Sequence, residues 1–118
     1  MKLGQFCEFD RRMYIGDGLR GKPKGLLRLL IRRRSTHRNF YLIYMDLETM
    51  RDGNGRLEVQ HTSFLRNDYY RRHPIHVFGV AKTYEEAGEL LVQISDEAAA
   101  DGRTGDLAGF LMEREGGR

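Results

Sequence analysis

Hydrophobic positions in the second third of the chain fall into three short blocks followed by one long helical stripe. Residues 39–47 carry the unbroken apolar run Phe40-Tyr41-Leu42-Ile43-Tyr44-Met45. These are aromatic and aliphatic types that suit a pleated, packed surface. Both of its faces are apolar, which predicts a central strand covered on each side. Arg51-Asp52-Gly53-Asn54-Gly55-Arg56 places Asp-Gly and Asn-Gly in succession, a strong turn signal. Residues 57–64 then alternate, with Leu57, Val59 and His61 on one side and Glu58, Gln60 and Thr62 on the other. The two segments predict a hairpin. Residues 65–74 form a polar connector. Residues 75–81 make a third apolar block, in which Gly79 permits a close approach from a neighbour.

The stripe follows. Thr83 and Glu86 form a T-x-x-E capping box at its start. Ala87, Leu90, Leu91, Ile94 and Ala98 recur on one helical face, Glu85, Glu86 and Glu89 crowd the first turns, and Gly102 is the natural terminator. A shorter helix at about 106–114 is predicted from Leu107, Phe110 and Leu111. Upstream, Pro23 opens a predicted helix over 23–34, with Leu26, Leu27, Leu29, Leu30 and Ile31 on its apolar face. A strand is the competing reading there, because the apolar block is short. Residues 1–22 are punctuated by glycine and read as an irregular arm. Gly16-Asp17-Gly18 reads as a turn, lacking the spacing and preceding strand of a phosphate-binding loop.

The expectation is therefore an α+β protein: a three-stranded antiparallel β-meander packed against a long amphipathic helix, with a basic N-terminal helix and a short C-terminal helix. At 118 residues the chain suits one domain (1–118), with an arm at 1–22 and a compact core at 23–115.

Charge changes this picture more than composition does. Residues 1–38 hold 11 Lys/Arg against 3 Asp/Glu (+8), residues 39–82 hold 6 against 5 (+1), and residues 83–118 hold 3 against 9 (−6). Such asymmetry invites an anionic partner at the front, or attraction between front and back, within one molecule or between two. No apolar run approaches the length of a membrane span, and residues 1–5 lack the apolar core of a secretory signal. The single cysteine, Cys7, excludes an intrachain disulfide. A cytoplasmic location is expected.

Candidate chemistry is concentrated in two basic stretches. Lys22, Lys24, Arg28, Arg32, Arg33, Arg34, His37 and Arg38 fall within one predicted helix and its flanks, and Tyr69, Tyr70, Arg71 and Arg72, followed by His73, interleave aromatics with cations. Cations meet phosphates or carboxylates, and flat side chains stack on unpaired bases. An amphipathic membrane-surface helix is a further reading of 23–34.

Metal and catalytic patterns are weak. His61, His73 and His76 lack ligand spacing, Pro74 interrupts the His-x-x-His pair, and no Cys-x-x-Cys exists; no metal and no cofactor are expected. Asp46, Glu48 and Glu58 could line a nuclease-like hairpin, but Gln60 stands where a lysine is wanted. Cys7 or Ser35 with His37 lacks an orienting carboxylate.

The predicted order helix, three antiparallel strands, helix over 23–101 is similar to the double-stranded-RNA-binding domain. That family grips phosphates with lysines at the start of its second helix; here only Lys82 is basic in Lys82-Thr83-Tyr84-Glu85-Glu86-Ala87, so those sites are not carried over. Three strands followed by a helix also resemble the arm-binding domain of tyrosine integrases from conjugative transposons. Val77-Phe78-Gly79-Val80-Ala81-Lys82-Thr83-Tyr84-Glu85-Glu86-Ala87-Gly88-Glu89-Leu90-Leu91 resembles short uncharacterised proteins of Gram-positive gut bacteria, which have no assigned activity, so the resemblance implies a shared fold and nothing about chemistry. The expectation for function is a small non-enzymatic binding or regulatory protein, of the kind encoded on mobile elements. It engages a protein partner, or a second copy of itself, through its basic front. Nucleic-acid binding through 22–38 and 69–73 is the alternative.

Overall fold

The computed structural model describes residues 7–21, 40–66 and 69–116. The predicted helix at 23–34 and every cation from Lys22 to Arg38 lie outside the described residues, as does the side chain of Arg71. The rest is α+β. The strands are β1 (Cys7–Ile15), β2 (Tyr41–Asp46), β3 (Glu58–His61) and β4 (Ile75–Ala81). Helices α1 (Leu47–Arg51), α2 (Tyr69–Arg72), α3 (Tyr84–Ala100) and α4 (Leu107–Gly116) accompany them, with short 3-10 turns at Asp17–Leu19 and Thr62–Arg66.

Among the described residues the sheet is four-stranded and mixed, in the order β1-β4-β2-β3. This corrects the meander in two ways. First, β4 returns beside β2 (Ile43 opposite Gly79, Asp46 opposite Ile75) and leaves β3 at the edge. A meander would make β3 the middle strand, yet Glu58 is exposed and Gln60 half-buried. β2 takes the interior place because it is apolar on both faces. Second, residues 7–15, expected in an irregular arm, form β1, parallel to β4. All seven residues of β4 are buried, consistent with neighbours on both edges. Among the described residues the strands do not form the meander on which the two architectural resemblances rest.

The hairpin of β2 and β3 stands as expected, with Tyr41 opposite His61 and Tyr44 opposite Glu58. Its connection is longer than a tight turn, because Asp46 caps α1 by accepting from the Thr49 N–H at 3.0 Å. The strand predicted to Phe64 stops at His61. There the Thr62 N–H donates to the Phe40 carbonyl and the chain turns away. The polar connector at 65–74 contains α2.

Helix α3 follows its sequence signals. The Thr83 hydroxyl accepts from the Glu86 N–H at 3.1 Å, and Glu86 reaches back to the Lys82 N–H at 3.1 Å, one residue before the cap. At the other end Gly102 adopts φ +81°, and the Arg103 N–H closes onto the Ala98 carbonyl at 2.7 Å. That positive φ and bond pattern favour glycine at the stop. Ala87, Leu90, Ile94 and Ala98 are buried, and Leu91 is half-buried at the margin.

The two faces of the sheet support separate cores. Leu42, Tyr44, Val77 and Val80 pack with Leu19 and Phe40 on one face. Ile43, Met45, Phe78 and Ala81 meet Ala87, Leu90 and Ile94 of α3 and Leu111 of α4 on the other. Asp106 accepts from the Gly109 N–H and starts α4. Arg103 ties the joint between α3 and α4 through Asp106 and Glu113.

Candidate functional site

β1 pairs with β4 in register up to Phe9 opposite Val77 and resumes at Tyr14 opposite Gly79. Four residues of β1 thus span one of β4. Such a bulge bends the strand and re-aims side chains. Asp10 and Met13 turn inward, while Arg11 and Arg12 turn to solvent.

Asp10 is the polar anchor of this bulge. Its carboxylate is fully buried and, among the described residues, meets three groups. Oδ1 lies 3.3 Å from Nε2 of buried His76; Oδ2 accepts from the Arg114 guanidinium at 2.8 Å and from the Arg12 N–H at 3.2 Å. Burial alone would push the Asp10 pKa up, but His76 and Arg114 more than offset that and hold it below its ordinary value. His76 also contacts Glu8 through Nδ1 at 2.6 Å. Burial disfavours its charged form, yet Asp10 and Glu8 overcome that and raise its pKa. Further along, Arg114 donates to the Tyr14 hydroxyl at 2.8 Å, and Tyr14 donates to Glu97 at 2.5 Å. Burial and this bond to Glu97 push the Tyr14 pKa well above the ordinary tyrosine range, so it stays a donor.

The network fixes the floor of an open groove of about 420 Å³ between β1, α3 and α4. Arg11, Arg12, Arg20 and Arg114 line it, with Gln93 and Glu97 on the α3 wall. Arg114 is held by Asp10 and lies over the Tyr14 ring at 4.9 Å. Arg20 pairs with Asp17 at 2.9 Å, with both side chains largely exposed. The side chains of Arg11 and Arg12 make no hydrogen bond or ion pair with the described residues. Chemically the groove offers guanidinium forks, which match planar carboxylates and phosphates.

The sequence reading names other candidates, of which Tyr69, Tyr70 and Arg72 have described side chains. Tyr69 is half-exposed and stacks on His73 at 3.9 Å. Tyr70 turns inward against Phe64, which in turn stacks on Tyr44, and Arg72 is exposed. None of these lines the arginine groove. Its own residues were missed because Arg114 lies far along the chain and Arg11-Arg12 interrupts any strand alternation. The one available signal was the strongly positive charge of residues 1–38.

A second groove, of about 430 Å³, does gather the hairpin carboxylates Asp46, Glu48 and Glu58 with Arg56, Tyr69 and His73. Asp46 is occupied in capping α1, and His73 contacts the Tyr69 carbonyl. His61 contacts Ser63, and His76 is enclosed by Glu8 and Asp10. Among the described residues no group of three or more His, Cys, Asp or Glu side chains could hold a metal ion. No helix of the described residues is long and apolar enough to cross a membrane. Comparison with protein-family models, with curated proteins and with solved structures returns no match.

Proposed function

We propose that the protein is a small non-enzymatic binding or regulatory protein that engages an acidic protein surface through the arginine groove at the β1 edge. The carrying observation is the pair Arg11 and Arg12, exposed beside Arg20 and Arg114 and unpaired among the described residues. Exposed cations left without partners are available to carboxylates from outside. A protein partner fits better than a nucleic acid for two reasons. The groove wall includes Glu97, and α3 carries Glu85, Glu89 and Asp96 nearby; a uniformly charged phosphate backbone would meet these as repulsion. Among the described residues no exposed aromatic lines the groove, so unpaired bases would lack a stacking platform there. We place the chain in the reducing cytoplasm, where buried Cys7 stays a thiol.

Fluorescence anisotropy with a labelled peptide that spaces its glutamates with serines, so that carboxylates can face the arginines without facing Glu97, and with a labelled DNA duplex and a labelled single strand, tests the reading. The peptide is expected to bind best. Replacing Arg11, Arg12 and Arg20 together by Ala is expected to weaken it about tenfold, from three surface pairs of about 0.5 kcal/mol each. Tighter, steeply salt-dependent binding of either nucleic acid would replace this reading with the nucleic-acid alternative. Failure of all three probes to bind would remove it.

A further inference from the structure

The exposed side of α3 carries a stripe that the core does not use. At about 100° per residue, Glu85, Glu89, Val92 and Asp96 fall within about 60° of arc. All four are exposed, and Val92 keeps 62% of its surface. The carboxylates of Glu85, Glu89 and Asp96 make no hydrogen bond or ion pair with the described residues. Gly88 and Ala99 border the stripe, and an added Cβ at Gly88 would meet nothing within 4 Å. A partner could approach the helix closely there.

This stripe adjoins the arginine groove. Going round α3 from the stripe, the next positions are Gln93 and Glu97, which form the groove wall, and then Leu90 and Ile94, which face the sheet. One surface therefore presents, side by side, cations (Arg11, Arg12) and anions (Glu85, Glu89, Asp96) that are unpaired among the described residues. Within one copy the described residues show no pairing between them. A patch with both signs adjacent is self-complementary under a two-fold axis: the cations of one copy meet the anions of the other, and the reverse contact forms by symmetry. Val92 would supply the apolar contact between them, since exposed charge pairs alone contribute little.

We propose that the occupant of the arginine groove is the acidic stripe of α3 in a second copy of this chain, forming a two-fold homodimer. The inference rests on the binding role proposed above and names its partner.

Sedimentation velocity over a concentration series tests it. The wild type is expected to sediment as two chains at low salt and to shift toward one chain as salt rises. Arg11→Glu with Arg12→Glu, and separately Glu85→Arg with Glu89→Arg, are each expected to give one chain. All six positions involved in the two variants and the stripe are exposed, and circular dichroism checks that each variant is folded. Mixing the two variants restores both symmetric contacts, so two-chain species are expected to return. A wild type that stays a single chain at every concentration, variants that remain dimeric, or a mixture that stays monomeric would each overturn the proposal. Binding of the glutamate–serine peptide by a monomeric wild type would leave the groove's binding role intact while removing the self-association.

Discussion

Asp10 and Arg114 stand 104 positions apart in the chain and 2.8 Å apart in the fold. Their contact joins the bulge of the edge strand to the last helix and sets the floor of the arginine groove. Asp10 is fully buried and contacts both Arg114 and His76, so removing its carboxylate takes a buried counter-charge from both. Asp10→Ala is expected to destabilise the protein by about 3–5 kcal/mol, read as a lower urea midpoint. Glu8→Gln, at a half-exposed carboxylate on the other side of His76, is expected to cost about 1 kcal/mol or less.

The same cluster makes stability depend on pH, with a definite sign. The pKa of His76 is raised in the fold above its ordinary value of 6.5. Its contribution is fully present below that ordinary value and is lost as pH rises through the higher folded value. The pKa of Asp10 is lowered below its ordinary value of 3.8, so its contribution is present above that value and is lost as pH falls through the lower folded value. Between these two ranges both contribute. The urea midpoint is expected to fall from about pH 5 to about pH 8. His76→Gln is expected to remove most of that slope; an unchanged slope in the variant would place the titration elsewhere.

Gly16 and Gly18 flank a turn pressed against the start of α3. A Cβ at Gly16 would lie 2.7 Å from Glu86 Oε1 and 3.2 Å from the Ala81 Cα; at Gly18 it would lie 2.6 Å from Glu86 Oε2. Gly16→Ala is expected to cost about 1–3 kcal/mol, because the Ala81 backbone cannot move aside as the Glu86 side chain can. For the same reason, adding Glu86→Ala should rescue Gly18→Ala more fully than Gly16→Ala. Thermal unfolding of the two double variants checks this order.

The cap and core of α3 separate in size of effect. Thr83→Ala removes the acceptor for the Glu86 N–H and is expected to cost about 1 kcal/mol. Ile94→Ala opens a cavity between α3 and the sheet, where Ile94 is fully buried, and is expected to cost about 2–5 kcal/mol. Chemical unfolding of both variants checks the ratio.

Several elements were set by local chemistry. The Thr83 cap, the Gly102 stop, the buried face of α3, the apolar runs of β2 and β4 and the pairing of β2 with β3 all depend on neighbours close in sequence, and periodicity reports such neighbours directly. Tertiary structure alone decided the rest. β1 carries Glu8, Asp10, Arg11 and Arg12 and reads as polar; it becomes a strand because His76 and Arg114, from distant elements, satisfy Asp10 and because β4 offers a free edge. The place of β4 beside β2, and the meeting of Arg11, Arg12 and Arg20 with Arg114, likewise follow from long-range packing. Charge content announced a basic front, but the position of a groove depends on which side chains the sheet order brings together, and no local pattern encodes that order.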